Sequence, residues 1–167
     1  MRNPKAILKR RLERAERVAV LAVGSRLRGD DAAGLLAAEE LSNLLGPKRD
    51  RSRIAIFLGE AAPENLTGEI KRFQPTHLLV VDAADIGEKP GEFQLVEPAA
   101  IRGVSASTHN LPVSLLTDYL QQCVRCNVVV IGIQPKACGF DQPVSVEVTQ
   151  GAKRAAKAIA EALPRFQ

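Results

Sequence analysis

Tryptophan is absent from this 167-residue chain, tyrosine occurs once and phenylalanine five times. No aromatic platform is therefore available for stacking bases. Cysteine is scarce as well, and three of them in a chain this long do not build a disulfide framework. No apolar run approaches the roughly 20 residues that a membrane span requires. The N-terminus is charged but lacks a following apolar stretch and small-residue cleavage site, so no signal peptide is read. Phosphate-cradling motifs are missing too. In VGSRLRG (23–29), Ser25 and Arg26 stand where G-x-G-x-x-G needs a second glycine, and there is no Gly-Lys-Ser/Thr. No G-x-S-x-G marks a nucleophile elbow. These absences leave a cytoplasmic globular protein as the expectation, with no membrane insertion.

What is present is ordinary in amount and uneven in place. Apolar residues make up 46% and charged residues 25%, which are globular values. The net charge is +4, yet residues 1–17 alone carry +5 and residues 18–167 carry −1. A nucleic-acid binder places its basic charge on the face of a folded domain, so no nucleic-acid partner is expected. The length suits one domain with one substantial core. We divide the chain into a basic N-terminal helix, 1–17, and a single α/β/α domain, 18–167. In residues 4–17, Pro4 suits a first helical turn, and Ile7, Leu8, Leu12 and Ala15 make a thin apolar stripe. This helix either packs that stripe on the domain or helps to dock an acidic partner surface, with charge mainly speeding encounter.

Beyond it, short apolar runs alternate with helical patterns. VAVLAV (18–23), IAIFL (54–58), HLLVVD (77–82) and NVVVIGI (127–133) have the continuous apolar character of strands buried on both faces. Between them, Asp30 is expected to cap a helix running to about Leu45, with Leu35, Leu36, Leu41, Leu44 and Leu45 inward. Helices are also expected over 63–73, over 111–122 behind Asn110 and Pro112, and after Ser145. EFQLV (92–96) is short and amphipathic, as an antiparallel edge strand would be. Strands of this kind alternating with helices imply a three-layer α/β/α sandwich with a mostly parallel sheet of about five strands.

Ligands of open α/β sheets bind beyond the carboxyl ends of the strands. The loops there hold Asp30 and Asp31, then Asp82, then Ser105, Ser107, Thr108, His109 and Asn110, and finally Gln134, Pro135 and Lys136. Asp82 ends an apolar strand, where a carboxylate is costly to desolvate without a partner; its bland role is to bond loop amides. Asp31 either sits in a first helical turn, favoured by the macrodipole, or aims a carboxylate over the first strand. His109 is one of two histidines; the other, His77, opens a strand and reads as structural. Together Asp31, Asp82 and His109 offer two oxygens and one nitrogen, a set that suits a borderline divalent ion with open coordination positions. Cys123 and Cys126 form a lone CxxC at a helix C-terminus, which reads as packing; Cys138 lies in a loop.

Four segments carry a resemblance: VAVLAVGSRLRGDDAAG (18–34), HLLVVDAADIGEKPGEF (77–93), STHNLPVSLL (107–116) and VVVIGIQPKACGF (128–140). In this order the chain resembles the nickel-dependent maturation proteases of NiFe hydrogenases, and STHNLP and GIQP point to the hydrogenase 3 branch. The resemblance implies an endopeptidase that removes a C-terminal extension from the precursor of a hydrogenase large subunit after nickel insertion. It implies that the nickel, supplied by that precursor, interacts with Asp31, Asp82 and His109, and it selects Asp31 over Asp30. Two positions depart from the family habit: Gly24-Ser25 stands where Gly-Asn is common, and Ala32 where glycine often follows the acidic pair. Two other readings differ in class. A non-catalytic assembly factor would bind the nickel-loaded precursor and leave its mass unchanged. A nucleotide-binding α/β domain would show a nucleotide-induced thermal shift.

Overall fold

The computed structural model describes residues 3–97 and 112–166. Chain order runs α1 (Pro4–Leu12), β1 (Val18–Val23), a 3-10 turn (Gly29–Ala32), α2 (Ala33–Leu45), β2 (Ile54–Glu60), a second 3-10 turn (Pro63–Leu66), α3 (Thr67–Phe73), β3 (His77–Ala83), β4 (Phe93–Val96), α4 (Val113–Val124), β5 (Asn127–Ile133) and α5 (Val146–Ala162).

The strands form one sheet in the order β2-β1-β3-β5-β4. Its first four strands are parallel, and β4 closes the edge antiparallel to β5, with Phe93 opposite Ile133. The expected three-layer α/β architecture is therefore present. Every residue of β1 and β3 is buried, which is why both read as unbroken apolar runs: each face of the sheet is covered. On one face Val20, Leu79, Val81 and Ile131 meet Leu8 and Leu12 of α1, Leu41 of α2, and Ala155 and Ile159 of α5. On the other, Leu21, Leu78 and Val80 meet Ile70 of α3 and Leu116 and Leu120 of α4. Among the described residues, no helix is long and apolar enough to cross a membrane.

Several local expectations change. Helix α1 stops at Leu12 rather than at residue 17. The chain is already tied to the sheet there, because Glu16 and Arg17 both donate their backbone N–H to Thr76 Oγ1. Leu44 is exposed rather than inward. Strand β2 is half exposed, since it forms the other edge of the sheet. The helix expected over 63–73 divides into a 3-10 turn and α3. Ser145 does cap α5, its hydroxyl accepting from the Val148 N–H.

Candidate active site

Strand β1 ends at Val23 and the chain turns back at Gly24. A Cβ at Gly24, where φ is +145°, would collide with the Asp31 carbonyl oxygen, so only glycine lets the turn fold onto the next one. The reversal aims the Ser25 backbone N–H at Asp31, which accepts it on Oδ2 at 2.9 Å. The side chain of Ser25 serves the turn itself, its Oγ accepting from the Leu27 N–H at 3.3 Å. The main chain of Ser25 thus bonds Asp31, and a serine in place of the usual asparagine keeps that bond. Ala32 is buried at the end of the 3-10 turn.

Asp31 is fully buried and Asp82 is 3% exposed. Asp82 sits next to last in β3, in register with Gly132 of β5, so the sheet carries it to the carboxyl end. Burial first, and the neighbouring charge of Asp31 second, hold the Asp82 carboxyl well above the usual carboxylate range; a bond from the Ala83 backbone N–H acts in the opposite direction. Its Oδ1 is buried with no hydrogen-bond partner among the described residues. Two carboxylates from different strand ends therefore share one desolvated spot. His109 lies outside the described residues, as do Ser105, Ser107, Thr108 and Asn110. Among the described residues, no three His, Cys, Asp or Glu groups gather closely enough to hold a metal ion.

Asp30 is not the helix cap that its position suggested. It is fully buried within the 3-10 turn, and its side chain makes no cap bond. Instead its carboxylate accepts four hydrogen bonds from the loop between β5 and α5: from the N–H groups of Lys136 (2.8 Å), Ala137 (3.0 Å) and Ser145 (2.7 Å) and from Ser145 Oγ (3.0 Å). Adjacent acids thus do different work. Asp30 fixes the loop, and Asp31 faces Asp82.

The remaining strand-end candidates are structural. Gln134 Oε1 accepts from Ile86 N–H (2.8 Å) and Glu88 N–H (3.2 Å), which pins the loop after β3. The Lys136 ammonium pairs with Glu147 at 2.7 Å. Cys138 belongs to the site's surroundings, which its loop position alone did not reveal. Its thiol is pushed up to about 11 by burial first and then by Asp31, Asp30 and, more weakly, Asp82, against the opposing charge of Arg28. Cys126 is buried, in keeping with packing, whereas Cys123 is exposed and does not pack. A groove of 1210 Å³ at the opposite end of the sheet is lined by Arg10, Arg14, His77 and Asn127 and contains neither acid.

Comparison with known proteins gives this arrangement its context. A model of the hydrogenase maturation protease family, HycI, matches residues 37–163, which include Asp82 and His109 and begin after Asp31. The hydrogenase 3 maturation protease of Escherichia coli K12 is 38% identical over 127 residues, 75% of this chain and 78% of the relative. The crystal structure of a NiFe hydrogenase maturation protease HycI from Thermococcus kodakarensis superposes with a TM-score of 0.82 at 32% identity, covering 94% of this chain and 98% of that one. That coverage exceeds what residues 18–167 amount to, so the likeness reaches into the basic N-terminal segment. The solution structure of the endopeptidase HycI from Escherichia coli gives a TM-score of 0.74 at 33% identity, over 87% of this chain and 90% of that one. With the family model spanning more than half the chain and these relatives matched over three quarters of it or more, the protein belongs to the hydrogenase maturation protease family, hydrolases that act on peptide bonds.

Proposed function

We propose that this protein is a cytoplasmic, nickel-dependent endopeptidase that removes the C-terminal extension from the precursor of a NiFe hydrogenase large subunit after nickel insertion. The observation that carries the reading is Asp82 at the carboxyl end of a parallel sheet, buried beside Asp31 with its Oδ1 lacking a partner among the described residues. Two buried acids that disfavour each other's charge gain from a cation between them. The oxygen donors present suit a divalent ion brought in by the substrate. Nickel held in the precursor would supply Lewis-acid polarisation of the scissile peptide or of water.

Within that scheme the chain's own groups orient and hold. The Ser25 N–H fixes Asp31, and the Ala83 N–H bears on Asp82. His109 would add an imidazole nitrogen. The course of α4 supports including it: α4 ends at Val124, next to the start of β5, so its beginning points back toward the carboxyl ends of the strands. Pro112, at that beginning, follows His109 by three residues.

The test is cleavage of nickel-loaded precursor, followed by the mass of the large subunit. Asp31→Asn, Asp82→Asn and His109→Ala should each slow cleavage about 100-fold or more, and precursor without nickel should stay intact. Full activity in all three variants would remove the site assignment.

A further inference from the structure

Phe140 (71%), Val146 (69%) and Leu27 (63%) are the most exposed large apolar side chains among the described residues. Exposed apolar residues scattered singly are normal, but these three are not scattered. Leu27 precedes Asp30 by three positions, Val146 follows Ser145, which donates twice to Asp30, and Phe140 lies in the loop that Asp30 holds. The two loops are also joined through their backbones. The Asp141 N–H donates to Leu27 O at 2.8 Å, and the Asp30 N–H to Ala137 O at 3.0 Å. They touch at Gly29, where an added Cβ would come within 2.8 Å of Ala137 O.

An apolar side chain on a mobile loop can fold inward. Here the loops are tied to each other through Asp30, so the apolar groups stay in water on a rim whose Cys138 feels the charge of both Asp31 and Asp82. Fixed apolar groups bind a partner with little ordering cost, and apolar patches bordering a site mark where a partner lies. A protease must lay a length of polypeptide across its site. We propose that Leu27, Phe140 and Val146 form the surface that takes apolar side chains of the substrate polypeptide next to the scissile bond, with affinity and register set there and hydrolysis at Asp31 and Asp82. This inference rests on the cleavage reading above.

The experiment measures KM and kcat on nickel-loaded precursor for Leu27→Ala, Phe140→Ala, Val146→Ala and the triple variant. Leu44→Ala is the control, because Leu44 is also exposed (49%) but lies near the far end of α2. Each of the first three should raise KM about tenfold with kcat unchanged, the pattern of lost binding that ground and transition states share. Phe140→Leu should recover most of the loss. Leu44→Ala should match the parent, and urea midpoints should not move. If the parent binds precursor without cutting it, Kd is read in place of KM. A triple variant with parental KM, or a KM rise equalled by Leu44→Ala, overturns the docking surface while inactive Asp31→Asn and Asp82→Asn leave the cleavage reading standing. Parental cleavage by those two variants overturns the assignment of Asp31 and Asp82 instead, and a large subunit whose mass the parent leaves unchanged overturns the cleavage reading.

Discussion

Asp30 accepts hydrogen bonds from three backbone N–H groups and one hydroxyl, all at positions more than a hundred residues later in the chain. Removing the carboxylate leaves buried donors unsatisfied, and each such group costs on the order of 1 kcal/mol or more. Asp30→Ala should therefore lose about 3 kcal/mol in urea unfolding, with Asp30→Asn recovering part of the loss. A parental midpoint for Asp30→Ala would show that the loop is held elsewhere. The sequence placed these acids at or beyond the ends of apolar strands, but position alone left a bland role open for each, and only the resemblance chose Asp31 over Asp30. Their division of labour was not legible. Two adjacent aspartates differ only in where the turn aims them, and the partners of Asp30 lie in a loop with no periodicity to read. The same loop hid Cys138, whose nearness to the acids depends on that clamp.

Helix α1 carries Lys5, Lys9, Arg10 and Arg11 on its exposed side while Leu8 and Leu12 are fully buried in the core shared with α5 and the sheet. Leu8→Ala should cost about 2–5 kcal/mol, the range for truncating a buried leucine. Deleting residues 1–12 should lower the urea midpoint further. Unchanged stability of the deletion, with cleavage slower and less salt-sensitive, would instead assign the segment to docking an acidic surface. At this scale most of the fold could be read. Continuous Val/Ile/Leu runs marked β1, β3 and β5 because burial on both faces leaves no room for alternation, and the amphipathic β4 read as the antiparallel edge it is. What failed were ends and edges. Tertiary ties at Thr76 cut α1 short, and β2 is exposed because its neighbour on one side is solvent. Leu44, in the last turn of α2, faces outward while its neighbour Leu45 packs against the core.

Across the whole molecule the sheet has two polar ends of opposite kind, acids at the carboxyl end and a buried histidine at the amino end. His77 is 5% exposed. Its Nε2 lies 3.3 Å from Asn127 Nδ2, an amide nitrogen that can only donate, so the ring is held neutral there. Burial pushes His77 below its ordinary value of 6.5, outweighing a raising backbone bond at Arg11. The unfolded chain therefore takes up a proton at a higher pH than the folded one. His77's contribution is complete above pH 6.5 and is lost as pH falls from there through the depressed folded value. Urea midpoints at about pH 7.5 and about pH 5 should show a fall that is smaller in His77→Gln. An equal fall in both proteins would assign the acid sensitivity to other groups.

The Asp30–Ser145 bond spans 115 positions, and that separation also orders events in time. Chains are made and begin to fold from the N-terminus. The Asp31 turn and the strand ending at Asp82 therefore emerge while the residues that brace them do not yet exist. A ribosome-held chain stopping before residue 145 should leave Asp30 without its Ser145 donors and the turn at 29–32 poorly protected in hydrogen exchange. Release of the last helix would then complete the rim, so that a protease still being synthesised does not yet present an ordered pair of acids.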